Sequence, residues 1–347
     1  MPLSIAAAQG LWEPEGTYLN TASFGLPPQP AWDALQAALD DWRTGRTSWE
    51  HWGKATEDAR ASFARLIGVE PSTVAVGATV SGFVGLVAAS LPGGSRVLAP
   101  EIEFTSTLFP FLVEARRGIT VHTVPAADLA GAIDETIDVV AFSAVQMATG
   151  EVADLPAVAA AARAHGALTL VDATQACGWL PLDGGSFDIV IAAGYKWLLS
   201  PRGTAYMAVA PSHLGGIVPT AAGWYAGEDV HASYFGPPLR LAADARRLDT
   251  SPAWHSWVGA APALALLEEI GVTAIHEHDL RLANRFRAGL GLEAGNSAIV
   301  FVDAPGAEER LARDGIRAAV RNGRLRTSWH VYNTDQDVER ALGALKV

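Results

Sequence analysis

Short apolar runs recur between residues 74 and 210 of this 347-residue chain. They are Val74–Gly77, Arg96–Ala99, Ile119–Val124, Ile137–Ser143, Ala167–Asp172, Phe187–Ala192 and Thr204–Val209. Rich in β-branched residues and short, they read as strands buried on both faces. Between them lie Ala-rich stretches of helical pattern, including Gly82–Ser90, Thr107–Arg117 and Leu155–His165. Such alternation predicts an α/β fold, with a mostly parallel sheet covered by helices on both sides. Ala31–Ile67 predicts helix with a break near Arg43–Ser48. Gly215–Pro238 has little periodicity and many Gly, Pro and aromatic residues, which predicts an ordered loop near a site or interface. Trp254–Ile270 and Thr273–Leu290 predict two helices divided by Gly271. A strand (Ser297–Val302), a helix (Ala307–Asp314), a strand (Gly323–Ser328) and a helix (Asp335–Leu345) then form a smaller α+β unit. The expected division is a large domain over residues 16–250 and a small one over 251–347, with 1–15 packed on the latter.

Composition narrows the function classes. No apolar run reaches about 18 residues, so no membrane span is expected. The N-terminus lacks the basic and apolar regions of a secretory signal. A net charge of −12 argues against nucleic acid as a partner. The one cysteine, Cys177, excludes a disulfide framework and a Cys-rich zinc site, and it fits a reducing, cytoplasmic setting. His51, His255 and His330 show no metal-ligand spacing, so no metal is expected. Only three of the 25 basic residues are lysines: Lys54, Lys196 and Lys346. GC-rich coding explains the ratio, but it leaves few candidates for lysine chemistry.

The sharpest constellation lies on two consecutive strands. LTLVDATQA places Asp172 at a strand's C-terminal edge, with Gln175 just beyond; FDIVIAAGYKW places Lys196 just past the next strand. Strand C-terminal ends line the ligand crevice of a parallel sheet, so the two converge. A carboxylate that holds a protonated pyridine nitrogen, and a lysine that forms a Schiff base with an aldehyde, are what pyridoxal phosphate (PLP) requires. VAVGATVSGFVG supplies a strand, then Gly77-Ala78-Thr79, then a helix, whose N–H groups and Thr79 hydroxyl suit a phosphate. Val80 and Ser81 add backbone N–H groups.

With these pieces in place the chain resembles the class V aminotransferases. These are PLP enzymes of the aspartate-aminotransferase fold that include cysteine desulfurases, isopenicillin-N epimerase-like proteins and kynureninase. The matching segments are YLNTASFG (Tyr18–Gly25), GATVSG (Gly77–Gly82), EFTSTLFP (Glu103–Pro110), SAVQMATG (Ser143–Gly150), VDATQACG (Val171–Gly178), AGYKWLLSPRGTA (Ala193–Ala205) and RTSWHVYNTDQDV (Arg326–Val338). The resemblance implies that Lys196 is the Schiff-base lysine and Asp172 the partner of the pyridine nitrogen. It implies that Gln175 bonds the cofactor's phenolic oxygen, that Thr79, with Ala78 and Val80, binds phosphate, and that Phe104 stacks on the ring. Arg326 would take the substrate carboxylate, Asn20 to Ser23 would line the entrance, and Ser251 would reach a partner's phosphate in a homodimer with shared sites.

The chain also departs from the family. Phe104 stands where His is usual, and cannot move a proton. Ala193 and Tyr195 replace a common Ser and His; Tyr195 keeps a hydroxyl. Met147 replaces the Asn of desulfurases, which leaves Gln146 to take over a polar contact. The stretch before Arg326 has no cysteine, so persulfide chemistry is not expected. Plainer roles compete: Thr79 as a helix cap, Arg326 as a surface salt-bridge partner, Phe104 as core. Trp32, Trp42, Trp49 and Trp52 fall on helical spacing and predict packing, whereas Trp224, Tyr225, Trp254 and Trp257 are pocket candidates. The expected activity is PLP-dependent turnover of an amino acid or amine, with transamination ahead of C–S or β-elimination and of epimerisation. A non-catalytic PLP-binding protein is the alternative from another class. A dehydrogenase lacks its G-x-G-x-x-G.

Overall fold

A computed structural model describes residues 2–345; Lys346 lies outside the described residues. Twelve strands run in chain order: β1 (Thr17–Tyr18), β2 (Val74–Gly77), β3 (Arg96–Pro100), β4 (Thr120–Val124), β5 (Val139–Ser143), β6 (Leu168–Asp172), β7 (Ile189–Ala193), β8 (Ala205–Val209), β9 (Ile299–Val302), β10 (Ile316–Arg317), β11 (Ala319–Arg321) and β12 (Arg324–Ser328). Seven of them form one sheet in the order β2-β8-β7-β6-β5-β3-β4. β7, β6, β5, β3 and β4 are mutually parallel, and β8 runs antiparallel to both its neighbours.

The central strands show why simple alternation is missing from the sequence. Every residue of β5, β7 and β8 is buried. Alternate residues still part to opposite faces, as the two-residue strand period demands. Val139, Ala141, Ile189, Ile191, Ala205 and Met207 join one core, whereas Val140, Phe142, Val190, Ala192, Tyr206 and Ala208 join the other. Helices Val80–Ser90 and Thr105–Val113 cover the first face. Helices Gln29–Thr44, Trp49–Leu66 and Trp254–Ile270 pack together on the second, joined by Leu155–His165. Gly45, at φ 75°, makes the break expected near residues 43–48. Edge strand β4 is half exposed and carries Thr and His.

The C-terminal part holds a three-stranded antiparallel sheet, β11-β12-β9. A third core joins it to helix Val272–Gly289, helix Asp335–Leu345 and Leu19 from the start of the chain. That start is built in: β1 pairs with β10, and Asn20 bridges Ser328. The Gln9 amide donates to the carbonyls of Val331 and Asn333. No single described helix is long and apolar enough to cross a membrane.

Candidate active site

Past β7 the chain turns sharply to place Lys196. Gly194 N–H donates to Thr204 O, and Ser200 N–H donates back to Gly194 O. Leu199 closes the turn at φ 54°, a sparsely populated conformation for a non-glycine residue. Gly25 leans on the same turn: its N–H donates to Tyr195 O at 2.9 Å, and a Cβ there would overlap the Lys196 carbonyl.

Lys196 is buried beneath a cavity that opens to solvent. Its Nζ lies 5.5 Å from the Phe104 ring centre and 5.7 Å from that of Tyr195. Burial pushes the amine down to about 8, against the opposing pull of Asp172. The charges of Arg326, Arg202 and Arg321 push the same way as burial. An amine so placed has an appreciable neutral, nucleophilic fraction near neutral pH.

Asp172 ends β6 and lines the cavity. Thr107 Oγ1 donates to its Oδ2 at 3.0 Å and Thr174 N–H to its Oδ1 at 2.9 Å. Each of its two oxygens therefore accepts one hydrogen bond, which fixes the carboxyl plane. Gln175 also lines the cavity, but its amide is largely engaged. Its Oε1 accepts from Trp197 Nε1 at 2.7 Å, and its Nε2 donates to Ala22 O at 3.0 Å. One N–H remains for a ligand.

Opposite these groups, helix Val80–Ser90 points its N-terminus at the cavity. Ala78, Thr79, Val80 and Ser81 all line it. Thr79 caps the helix, its Oγ1 accepting from Gly82 N–H at 3.2 Å. First-turn N–H groups such as those of Val80 and Ser81 have no preceding turn to satisfy them, which makes an anion seat. Phe104 and the half-buried Tyr195 line the cavity, and the Arg202 guanidinium sits 4.8 Å over the Tyr195 ring.

Arg326 lies on β12, 1% exposed, and has no salt-bridge partner among the described residues. Its Nη2 donates to Ser23 Oγ at 2.6 Å and is 3.4 Å from Asn20 Oδ1; its Nε has no partner. Burial, with the charge of Arg321, pushes the guanidinium down to about 10. Arg321 Nη2 reaches the same Ser23 Oγ at 3.3 Å. Two cations thus converge on one neutral oxygen.

Several expectations need correction. Gln146 does not line the cavity: it turns away, and its amide donates to Glu103 Oε2 at 2.9 Å. Glu103 is buried, which pushes its carboxyl up, and it also accepts from the Ser143 and Phe104 N–H groups. Met147 takes the place in the cavity. Ser251 is exposed and outside this chain's cavity. Nearby, Asp249 is locked to Arg60 (2.6 Å) and to Val76 N–H (2.8 Å). Trp224, Tyr225 and Trp254 form an aromatic cluster with Trp49 away from the cavity, and Trp257 packs edge-on against Tyr206. Thr107, Thr174 and Arg202 also belong to the site, the first two on Asp172 and the third in the cavity wall. A threonine in the first helical turn after Phe104, and an arginine in the turn following Lys196, were the available signals.

Comparison with known proteins decides the family. The family model "Aminotransferase class-V" matches residues 17–310. The chain belongs to the class V aminotransferases. It is 30% identical to the "Uncharacterized aminotransferase YcbU" of Bacillus subtilis, across 94% of this chain and 92% of that protein. It is 27% identical to an isopenicillin N epimerase of Streptomyces clavuligerus, across 98% and 96%. The fold matches that of the cystine C-S lyase C-DES, solved with its product cysteine persulfide, at a TM-score of 0.87 and 23% identity, covering 97% and 98%.

This class V chain is therefore a PLP-dependent enzyme, and its own residues fit that cofactor. The cavity joins a helix N-terminus, an ordered carboxylate and a buried lysine of lowered basicity. Arg326, Asn20 and Ser23, expected at the substrate end, do not line this cavity; Arg326 is buried close enough for its charge to bear on Lys196, and its Nε has no hydrogen-bond partner.

Proposed function

We propose that the enzyme transaminates an amino acid. Bound PLP supplies an aldehyde that condenses with amines and a ring that accepts electrons. The chain's residues then divide the work. Lys196 would hold the cofactor's aldehyde end, and its amine would move the substrate's α-proton. Asp172, fixed by Thr107 and Thr174, keeps the pyridine nitrogen protonated. Thr79, with the N–H groups of Val80 and Ser81, holds the phosphate, and Gln175 offers its free N–H to the phenolic oxygen. Arg326 binds the substrate carboxylate, for which its planar fork is suited, with Asn20 and Ser23 at the entrance.

The observation that carries the reading is one buried base, Lys196, close to Phe104 (5.5 Å) in the cavity. Transamination needs a single base to move one proton between two carbons. Two-base epimerisation needs a second acid across the ring, and Phe104 offers only hydrocarbon. A persulfide carried on the enzyme needs an accessible thiol, but Cys177 is buried and its thiol is pushed up by that burial. We also propose a homodimer in which the exposed Ser251 reaches the partner's cofactor phosphate.

A spectral screen of amino acids tests the reaction. Transamination bleaches the visible band and raises absorbance near roughly 330 nm without ammonia release. Ammonia with a 2-oxo acid, and no lasting bleaching, would mean elimination instead. A change in substrate chirality alone would mean epimerisation. PLP binding with no α-proton exchange for any amino acid would leave a binding protein.

A further inference from the structure

Behind the site lies a titratable pair that the proposed mechanism does not use. His330 and Asp279 are both fully buried and neither lines the cavity. Asp279 comes from helix Val272–Gly289, and His330 stands two residues past the end of β12. His330 Nδ1 lies 2.9 Å from Asp279 Oδ2, and its Nε2 lies 3.1 Å from the carbonyl oxygen of Trp197. A carbonyl can only accept, so Nε2 carries a proton. A second proton is shared between Nδ1 and Oδ2, whichever atom holds it.

Trp197 is the residue after Lys196, and it is held from three sides. His330 holds its carbonyl, Gln175 Oε1 accepts from its indole N–H at 2.7 Å, and Gly178 packs so tightly that a Cβ would overlap the same carbonyl. Burying an acid and an imidazole costs desolvation that apolar side chains would avoid. The return is a directional hold on one backbone atom next to the reacting lysine. We propose that His330, oriented by Asp279, is a positioning residue that fixes the Lys196 turn through the Trp197 carbonyl.

The inference rests on Lys196 being the PLP-binding lysine. It assigns a role to a helix of the C-terminal part that contributes no atom to the cavity. Arg326 lies four residues before His330, so the stretch that seats the substrate carboxylate also steadies the lysine.

The test uses full-length protein stripped of PLP, with circular dichroism to confirm folding. PLP is added back, and the rate of growth of the visible band at Lys196 is followed against pH. Only the neutral amine attacks an aldehyde, so the midpoint reports the lysine's titration. The charges facing Lys196 are Asp172 from β6, Arg202 from the turn, Arg321 from β11 and Arg326 from β12. None is altered by the variants. His330→Phe keeps an aromatic ring against Trp197 but removes both hydrogen bonds. A loosened turn admits water to the ammonium, so the midpoint rises by about one unit and the neutral fraction at pH 7 falls about tenfold. Asp279→Leu moves it the same way. Asp279→Asn, which can still donate to Nδ1, restores it to within about 0.3 unit. Midpoints equal to wild type in the folded variants, with only the melting temperature lowered, would show the pair to be merely structural. If His330→Phe fails to fold, Asp279→Leu against Asp279→Asn decides the matter. Wild type that captures no PLP at Lys196 would overturn the lysine assignment itself, a result distinct from unmoved midpoints.

Discussion

Arg326 is costly for the fold and useful for a ligand. A buried guanidinium with only Ser23 and Asn20 as hydrogen-bond partners among the described residues has lost water without gaining a carboxylate. Arg326→Met should therefore leave the melting temperature unchanged or raise it, and leave PLP affinity unchanged. The KM for an amino acid should rise at least tenfold, since a charged hydrogen bond is worth about 1.5–3 kcal/mol. The same substrate without its carboxylate should be turned over no worse by the variant than by wild type; a matching loss there would refute the assignment. Lys196 carries a pH signature. Its amine titrates near 8 in the fold and near 10.5 in the unfolded chain. Across that window the unfolded chain binds the proton that the folded one releases, so this group makes stability rise with pH. Its burial penalty is complete below about pH 8. Stripped of PLP, Lys196→Met should melt a few degrees above wild type at pH 7, and the gap should close as pH approaches 10.5. Melts at the two pH values check the sign.

At the scale of elements, the helix Val80–Ser90 separates two roles for Thr79. As an N-cap it contributes ~1 kcal/mol, which Asp would supply equally well. As a phosphate ligand it tolerates no anion. Thr79→Asp should keep the urea midpoint within error and weaken PLP binding more than about tenfold by charge repulsion. Thr79→Ala should lower the midpoint and weaken PLP only modestly. Equal PLP affinity in Thr79→Asp and wild type would leave Thr79 as a cap alone. The elements themselves differ in how plainly the sequence shows them. The buried strands β5 and β6 stand out because each is a short apolar run and the helix Leu155–His165 lies between them. The reversed direction of β8 does not, because a two-residue period carries no polarity. β1, β10 and β11, at two or three residues each, are too short for any periodicity. Within the site, Asp172, Lys196 and Thr79 were legible because each ends, closely follows or caps a regular element at the sheet's C-terminal edge. Gln146 misled because it follows β5, where cavity residues gather, yet the next turn swings its amide onto Glu103. Arg202 stayed hidden because nothing about a turn arginine shows where its long side chain will lie.

Over the whole molecule, residues 17 to 25 act as a strap between the three-stranded and the seven-stranded sheet. At one end β1 pairs with β10, Thr17 donates to Asp337 at 2.6 Å and Asn20 bridges Ser328. In the middle, Ala22 N–H donates to Ser328 Oγ and its carbonyl accepts from Gln175. At the other end Gly25 is pressed on the Lys196 turn and Tyr18 OH closes the strap on Phe24 O at 2.7 Å. The strap also carries Ser23, on which Arg326 and Arg321 converge. One segment therefore touches the lysine turn, Gln175 and Arg326. A single methyl group tests how tightly these are joined. In Gly25→Ala the new Cβ must displace backbone, the Lys196 carbonyl, rather than the tip of a flexible side chain. Overpacking of this kind costs about 1–3 kcal/mol. If the strap merely tethered the chain, the cost would appear in the melting temperature and nowhere else. Because it bears on the lysine turn, Gly25→Ala should also slow capture of PLP by Lys196 and raise the KM for the amino acid. Ser23→Ala removes the shared oxygen without touching the turn, so it should alter KM while leaving PLP capture at the wild-type rate. Equal effects of the two substitutions on both readouts would mean that the strap transmits strain generally. Separated effects would place the lysine and the carboxylate site at two distinct points along it.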